Sequence, residues 1–293
     1  VTLKRKQKKQ EREIRTHMTK ILGISAFSHD AAVSVVEDDS ILFAAHSERY
    51  TRIKNDKHLS SHLVQEALEY GKPDLIAFYE RPILKRTRQL YSGQFSKALE
   101  HQTVKNKLYG YPGLKGVPIE YVDHHKSHAA AGAYTSGFDE ACVVVVDAIG
   151  EWDCFTVWKY KNQQLTKLFT QRYPNSLGLF YTAMTQRVGL KPNEDEYILM
   201  GMASYGTPKY ADQMETDFFK TGQLAKSNIN LHHGCIGYLP GANDFDLAAS
   251  AQLVLERKLH EVFKFSKRIC PSNNLVYMGG VALNCTANRI ISD

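Results

Sequence analysis

A strand, an acidic turn, a second strand, a tight turn and a third strand, followed by a helical stretch, occur twice in this chain about 120 residues apart. No other feature restricts the fold as strongly. In the first copy, Ile21 to Phe27 and Ala31 to Val36 are β-rich runs separated by Ser28-His29-Asp30. Glu37 to Ser40 is a turn and Ile41 to His46 a third strand. Leu63, Val64, Ala67 and Leu68 then recur at helical spacing before Lys72-Pro73, and Asp74 to Tyr79 reads as a strand reached by a crossover. In the second copy, Cys142 to Val146 is an apolar strand that ends at Asp147, Cys154 to Tyr160 and Leu165 to Thr170 are strands, and helical spacing resumes after Ser176. An internal duplication of an α/β unit explains both copies; the competing reading is that a mixed α/β protein supplies two three-strand meanders by chance. It predicts a first lobe over 18–140 and a second over 141–293, facing each other across a cleft with Asp30 and Asp147 at its floor. Residues 82–117 and 207–244 lack sustained periodicity and read as insertions. Phe245 to Cys270 reads as a long helix, and Asn274 to Met278 as a strand that leads into Gly279-Gly280.

With 43% hydrophobic and 23% charged residues among 293, the chain has a globular composition, which excludes disordered, collagenous and coiled-coil classes. No apolar run approaches the roughly 20 residues of a membrane-spanning helix. The net charge of +6 is concentrated in residues 1–17, where seven Lys/Arg stand against Glu11 and Glu13. That arm reads as a basic tail outside the fold, and Met18-Thr19-Lys20 leads directly into the first strand. It has no signal-type apolar segment, so a cytoplasmic protein is expected, with its five cysteines reduced.

Several clusters could carry chemistry. In Asp123-His124-His125-Lys126-Ser127-His128, the i,i+4 pair His124 and His128 projects from one face of a helix and could share a metal, or could serve only as surface or capping residues. Asp147, at a strand end, is the candidate carboxylate, and such a donor set suits iron, manganese or zinc. Arg49, Arg52 and Lys54 could grip phosphate oxygens or form a solvated charge run. Gly279 and Gly280, before Asn284, follow a strand and precede a helix. That arrangement is compatible with a nucleotide contact or with a tight turn.

Taken in order, ILGISAFSHDAAVSVV (21–36), SERYTRIKND (47–56), VDHHKSHAAAGAY (122–134), VVVVDAIGEWD (143–153), NSLGLFYTAMTQRVGLKPNEDEYILMGMASYG (175–206) and GGVALNCTAN (279–288) resemble the O-carbamoyltransferases of the nodulation-factor and antibiotic-tailoring family. The resemblance implies a duplicated actin/sugar-kinase-like, ribonuclease H-like fold, similar to the domain of enzymes that transfer threonylcarbamoyl to tRNA. It implies a metal, commonly iron, on His124, His128 and Asp147, and adenosine contacts from Gly279, Gly280 and Asn284. His29 and Asp30 would assist deprotonation of an acceptor hydroxyl. The implied partners are carbamoyl phosphate, ATP and a hydroxylated sugar or natural product. Carbamoyl-adenylate would be the bound nucleotide, and neither membrane nor nucleic acid is expected. Compared with the family, the sequence carries Ile198 where a Lys is usual. It stops before a further carboxylate and the C-terminal adenylate-forming domain, so it reads as an N-terminal portion. A kinase or ATP-hydrolysing member of the same fold and a non-catalytic nucleotide- or partner-binding module are the competing expectations.

Overall fold

The structure is a computed structural model in which residues 19–292 are described; the basic arm over 1–17 lies outside them. The chain divides into two compact units, one running to Tyr79 and resuming over Glu100–Val122, the other comprising Glu80–Leu99 and Asp123 onward.

In the first unit, β1 (Lys20–Ser25), β2 (Ala32–Glu37) and β3 (Ser40–His46) form an antiparallel meander, with Leu22 opposite Val35 and Val35 opposite Phe43. Helix α1 (Ser61–Glu69) starts at Ser60, whose side chain accepts from the Leu63 N–H. It returns the chain to β4 (Leu75–Phe78), parallel to β1, and β5 (Ile119–Tyr121) adds parallel to β4. The sheet order is β3-β2-β1-β4-β5. Leu22, Ile24, Val33 and Val35 alternate inward along the strands and pack on Leu63, Val64, Ile76 and Phe78.

The second unit holds α2 (Pro82–Tyr91), α3 (His124–Thr135), β6 (Glu140–Val146), β7 (Asp153–Lys161), β8 (Gln164–Arg172), α4 (Leu177–Arg187), α5 (Asp244–Ile269), β9 (Leu275–Met278) and α6 (Cys285–Ser292). Its sheet runs β8-β7-β6-β9, again an antiparallel meander followed by a crossover strand parallel to the first. Both units therefore share the ribonuclease H-like scheme, and the duplicated fold expected from the sequence is present.

The boundary expected at 140/141 differs from the observed division. Ala129 and Ala133 of α3 pack on Ala141, Val143, Val145, Trp158 and Val276, so α3 belongs to the second unit. Residues 82–117 are also more helical than expected, with α2, Phe95–Ala98 and Val104–Tyr109. Helix α2 is inverted: Arg88 and Gln89 are buried, whereas Ile83 and Tyr91 are largely exposed. A helix with its polar residues inside gives no ordinary apolar stripe. The five cysteines are free. No helix among the described residues is long and apolar enough to cross a membrane.

Candidate metal centre

Strand β6 is buried on both faces, which explains its unbroken apolar run. Cys142, Val144 and Val146 face the core built on α4 and α5, while Ala141, Val143 and Val145 face α3. Continuing that alternation by one residue puts Asp147 on the α3 side. Helix α3 begins at His124, because the Asp123 side chain caps it by accepting from the Lys126 N–H at 3.0 Å. His124 and His128 thus lie one turn apart at the helix start.

Three ligand-type atoms converge there. His124 Nε2 is 2.9 Å from Asp147 Oδ2, His128 Nε2 is 3.1 Å from His124 Nε2, and His128 Nε2 is 3.6 Å from Asp147 Oδ2. Nitrogen and oxygen ligands bound at about 2.0–2.2 Å sit about 3.0–3.5 Å apart on one ion. The spacing therefore fits three ligands on one face of a single cation. Two imidazoles and a carboxylate form a donor set that suits iron(II), manganese or zinc.

The carboxylate is aimed by its other oxygen. Asp147 Oδ1 accepts from the Ala148 N–H at 2.8 Å and the Gly280 N–H at 3.3 Å, which leaves Oδ2 toward the histidines. Ser176 donates through its hydroxyl to the Ala148 carbonyl at 2.6 Å and accepts from the Leu179 N–H at 3.0 Å, so it caps α4 while fixing the turn. A Cβ on Gly178 would lie 2.5 Å from Ala148 Cα, so α4 reaches this turn only with glycine there.

Burial would push the Asp147 carboxyl up, but the two imidazoles outweigh it and hold it well below the usual carboxylate range. Burial would push the His124 imidazole down, yet Asp147 prevails and holds it above its ordinary value. The intervening His125 turns inward. Burial pushes it down to about 4, and its Nδ1 lies 3.0 Å from Thr156 Oγ1.

Glu151 was not singled out in the sequence. Its buried carboxylate accepts from the His124 N–H at 3.2 Å and from the Arg81 N–H at 2.6 Å, so it anchors the first residue of α3. The one available signal was its place in the same inter-strand turn as Asp147. Replacing Glu151 with Ala leaves two N–H groups unpaired and is expected to destabilise the protein by about 2–4 kcal/mol, measured by urea unfolding. Glu151→Gln retains an acceptor and should recover most of that loss; equal losses in the two variants would contradict the anchoring role.

The remaining candidates are distributed as follows. In the first unit, His29 Nδ1 is 3.0 Å from Asp30 Oδ2, and both side chains are exposed. Asp30 lies five residues beyond the end of β1, whereas Asp147 directly follows β6, so the two acids are not equivalent in the repeat. Buried Ala26 occupies the position that corresponds to Asp147. Arg49, Arg52 and Lys54 are exposed, with Arg49 3.6 Å from Glu48. In the second unit, the Gly280 N–H is directed at Asp147. Asn284 is buried in a reciprocal amide pair with Gln252 at 2.9 and 3.1 Å and accepts from the Ala287 N–H at 2.9 Å.

Among known proteins, the chain is similar to the uncharacterized protein sll1178 of Synechocystis, with 32% identity over 92% of this chain and 52% of that protein. It is 28% identical to the nodulation protein NolNO of Sinorhizobium fredii, over 90% of this chain and 42% of the relative. It is 23% identical to the 3'-hydroxymethylcephem-O-carbamoyltransferase of Amycolatopsis lactamdurans, over 89% and 52%. The chain thus spans about half the length of the curated relatives it matches. Residues 20–90 and 97–293 match the description "Carbamoyltransferase N-terminus". The chain belongs to the carbamoyltransferase N-terminus family.

Proposed function

We propose that this chain is the metal-bearing part of an O-carbamoyltransferase that passes a carbamoyl group from carbamoyl-adenylate to a hydroxyl of a sugar or natural product. The observation that carries the reading is the convergence of His124 Nε2, His128 Nε2 and Asp147 Oδ2 on one point, in a member of this family. A divalent ion held by these residues, with iron as the expectation, would supply a Lewis acid for a carbonyl or phosphoryl oxygen.

The chain's own residues would do the rest. Asp147 is held by two N–H groups in one orientation, so its second oxygen needs no rearrangement to serve as a ligand. In the transfer, the acceptor oxygen bonds to the carbamoyl carbon, the bond from that carbon to the phosphoryl oxygen breaks, and AMP leaves. The hydroxyl proton would go to His29 Nε2, with Asp30 orienting the ring through Nδ1. Exposed Arg49, Arg52 and Lys54 would hold phosphate oxygens. Asn284 is engaged with Gln252, so it would act on an adenosine by shaping the turn after Gly279-Gly280. Adenylate formation from ATP and carbamoyl phosphate would belong to the part of the longer relatives that this chain does not match.

The test supplies metal-loaded protein with preformed carbamoyl-adenylate and a pool of hydroxylated acceptors, and follows AMP and carbamoylated products by mass spectrometry. AMP release that requires an acceptor and is lost in His128→Ala is the expected result. Release at equal rates without acceptor, or in the variant, would contradict the reading.

A further inference from the structure

Arg88 is 7% exposed on the inverted face of α2. Its Nε donates to the Glu151 carbonyl at 3.1 Å. A guanidinium has five N–H donors. Among the described residues, the other four meet no hydrogen-bond partner, and Arg88 forms no ion pair. Burial of this cation is costly, and the Glu80 carboxylate offsets the cost only in part, so burial still holds the guanidinium below its ordinary value. Its terminal nitrogens are not sealed off, so what surface remains includes them.

A second unpaired donor belongs to the same wall. His232 Nε2 is 2.8 Å from Gln94 Nε2. An amide nitrogen only donates, so the ring accepts at Nε2 and carries its proton on Nδ1. Among the described residues, that buried Nδ1 has no partner. Burial first, and the Arg88 charge second, push the His232 imidazole down, which keeps it neutral in this tautomer. Its ring lies 5.7 Å from Tyr173, which joins Tyr91 and Trp152 in one cluster with centroids 5.5 to 6.4 Å apart. Tyr91 is 71% exposed and offers an open ring. The wall also touches the support of the metal centre, because Glu151 accepts from Arg88 through its carbonyl and from the His124 N–H through its carboxylate. The match to the family is interrupted between 90 and 97, the segment that holds Tyr91 and Gln94.

We infer that Arg88, His232 and the Tyr91–Trp152–Tyr173 cluster form a subsite for the anionic group, carboxylate or phosphate, of a ring-bearing acceptor whose ring lies against Tyr91. The inference rests on the carbamoyl-transfer reading for the word acceptor, but its test needs no turnover. Inorganic phosphate, phenyl phosphate and AMP are titrated by calorimetry into the purified chain and its Arg88→Met and Tyr91→Ala variants.

The expected results are phosphate binding at least tenfold weaker in Arg88→Met, and tighter binding of phenyl phosphate than of phosphate that Tyr91→Ala removes. Phosphate that binds Arg88→Met as well as the parent, or fails to bind the parent at tens of millimolar, overturns the site. Phenyl phosphate that no longer binds once AMP fills its tightest site would assign the site to the donor nucleotide and overturn the acceptor assignment; phenyl phosphate and AMP bound together support it. If Arg88→Met does not fold, Tyr91→Ala decides. The residue is exposed, and an unchanged preference for phenyl phosphate in that variant counts against the subsite. Failure of acceptor-dependent AMP release with these binding results intact would overturn the carbamoyl reading alone.

Discussion

Asp147→Asn is expected to erase the thermal stabilisation that a divalent metal confers on this protein. A ligand at a hundred times its Kd stabilises by about 2.7 kcal/mol, or roughly 5–10 °C in Tm for a domain of this size. Asn removes the only anionic member of the donor set, and a hundredfold loss of affinity would leave about 0.4 kcal/mol at the same metal concentration. The fold should survive, because the Asn carbonyl can still accept from Ala148 and Gly280, the two groups that orient Asp147.

The pH dependence has a defined sign. His124 is held above its ordinary value by Asp147, so in the metal-free protein the pair contributes stability that is fully present below the unfolded imidazole value and is lost as pH rises through the folded one. Metal requires the neutral ring and must displace that proton. The metal-induced rise in Tm should therefore be larger at about pH 8 than at about pH 6. Differential scanning fluorimetry with and without metal reads both effects. A shift that persists in Asp147→Asn, or that shrinks as pH rises, would contradict the assignment.

Gly279→Ala should be strongly destabilising for a conservative change. Gly279 has φ +97°, a region that side-chain-bearing residues rarely occupy, and a Cβ there would lie 2.2 Å from the Val146 carbonyl oxygen. Backbone strain and overpacking together cost about 2–6 kcal/mol, a large part of a typical stability of about 5–15 kcal/mol. Val146 precedes Asp147, so relief of the clash also moves the carboxylate and weakens metal binding. A Tm lowered by roughly 5–20 °C is expected. Gly201→Ala is the contrasting control: nothing lies within 4 Å of its Cβ and it sits in the helix Glu196–Met202. Alanine there should be neutral or stabilising by about 0.5–1 kcal/mol. Equal effects at the two positions would show that close contact at Gly279 does not govern stability.

What could be read in the sequence was whatever follows a local period. The β6 run announces a strand covered on both faces, its alternation carries on to Asp147, and the i,i+4 spacing places His124 and His128 on one helix face. The duplication was legible for the same reason, since each meander is local and each crossover short. Features that depend on which element packs where were not legible. Helix α3 lies in sequence before β6 yet packs on it, so a linear boundary at 140 misassigns it. Glu151 and Arg88 become informative only when the β6–β7 turn meets α2 and the start of α3. The inverted face of α2 hides any periodic signal. Asp30 and Asp147 look alike in sequence because both end a β-rich run before another. Only the strand ends reveal that Ala26, not Asp30, shares the Asp147 position.

X-ray absorption at the metal edge of the iron(II)-loaded protein tests the central claim most directly. Two imidazoles and a carboxylate predict an all nitrogen/oxygen first shell at about 2.0–2.2 Å, with outer-shell scattering from two histidines that falls to one in His128→Ala. A sulfur shell, or imidazole scattering unchanged by that substitution, would contradict it.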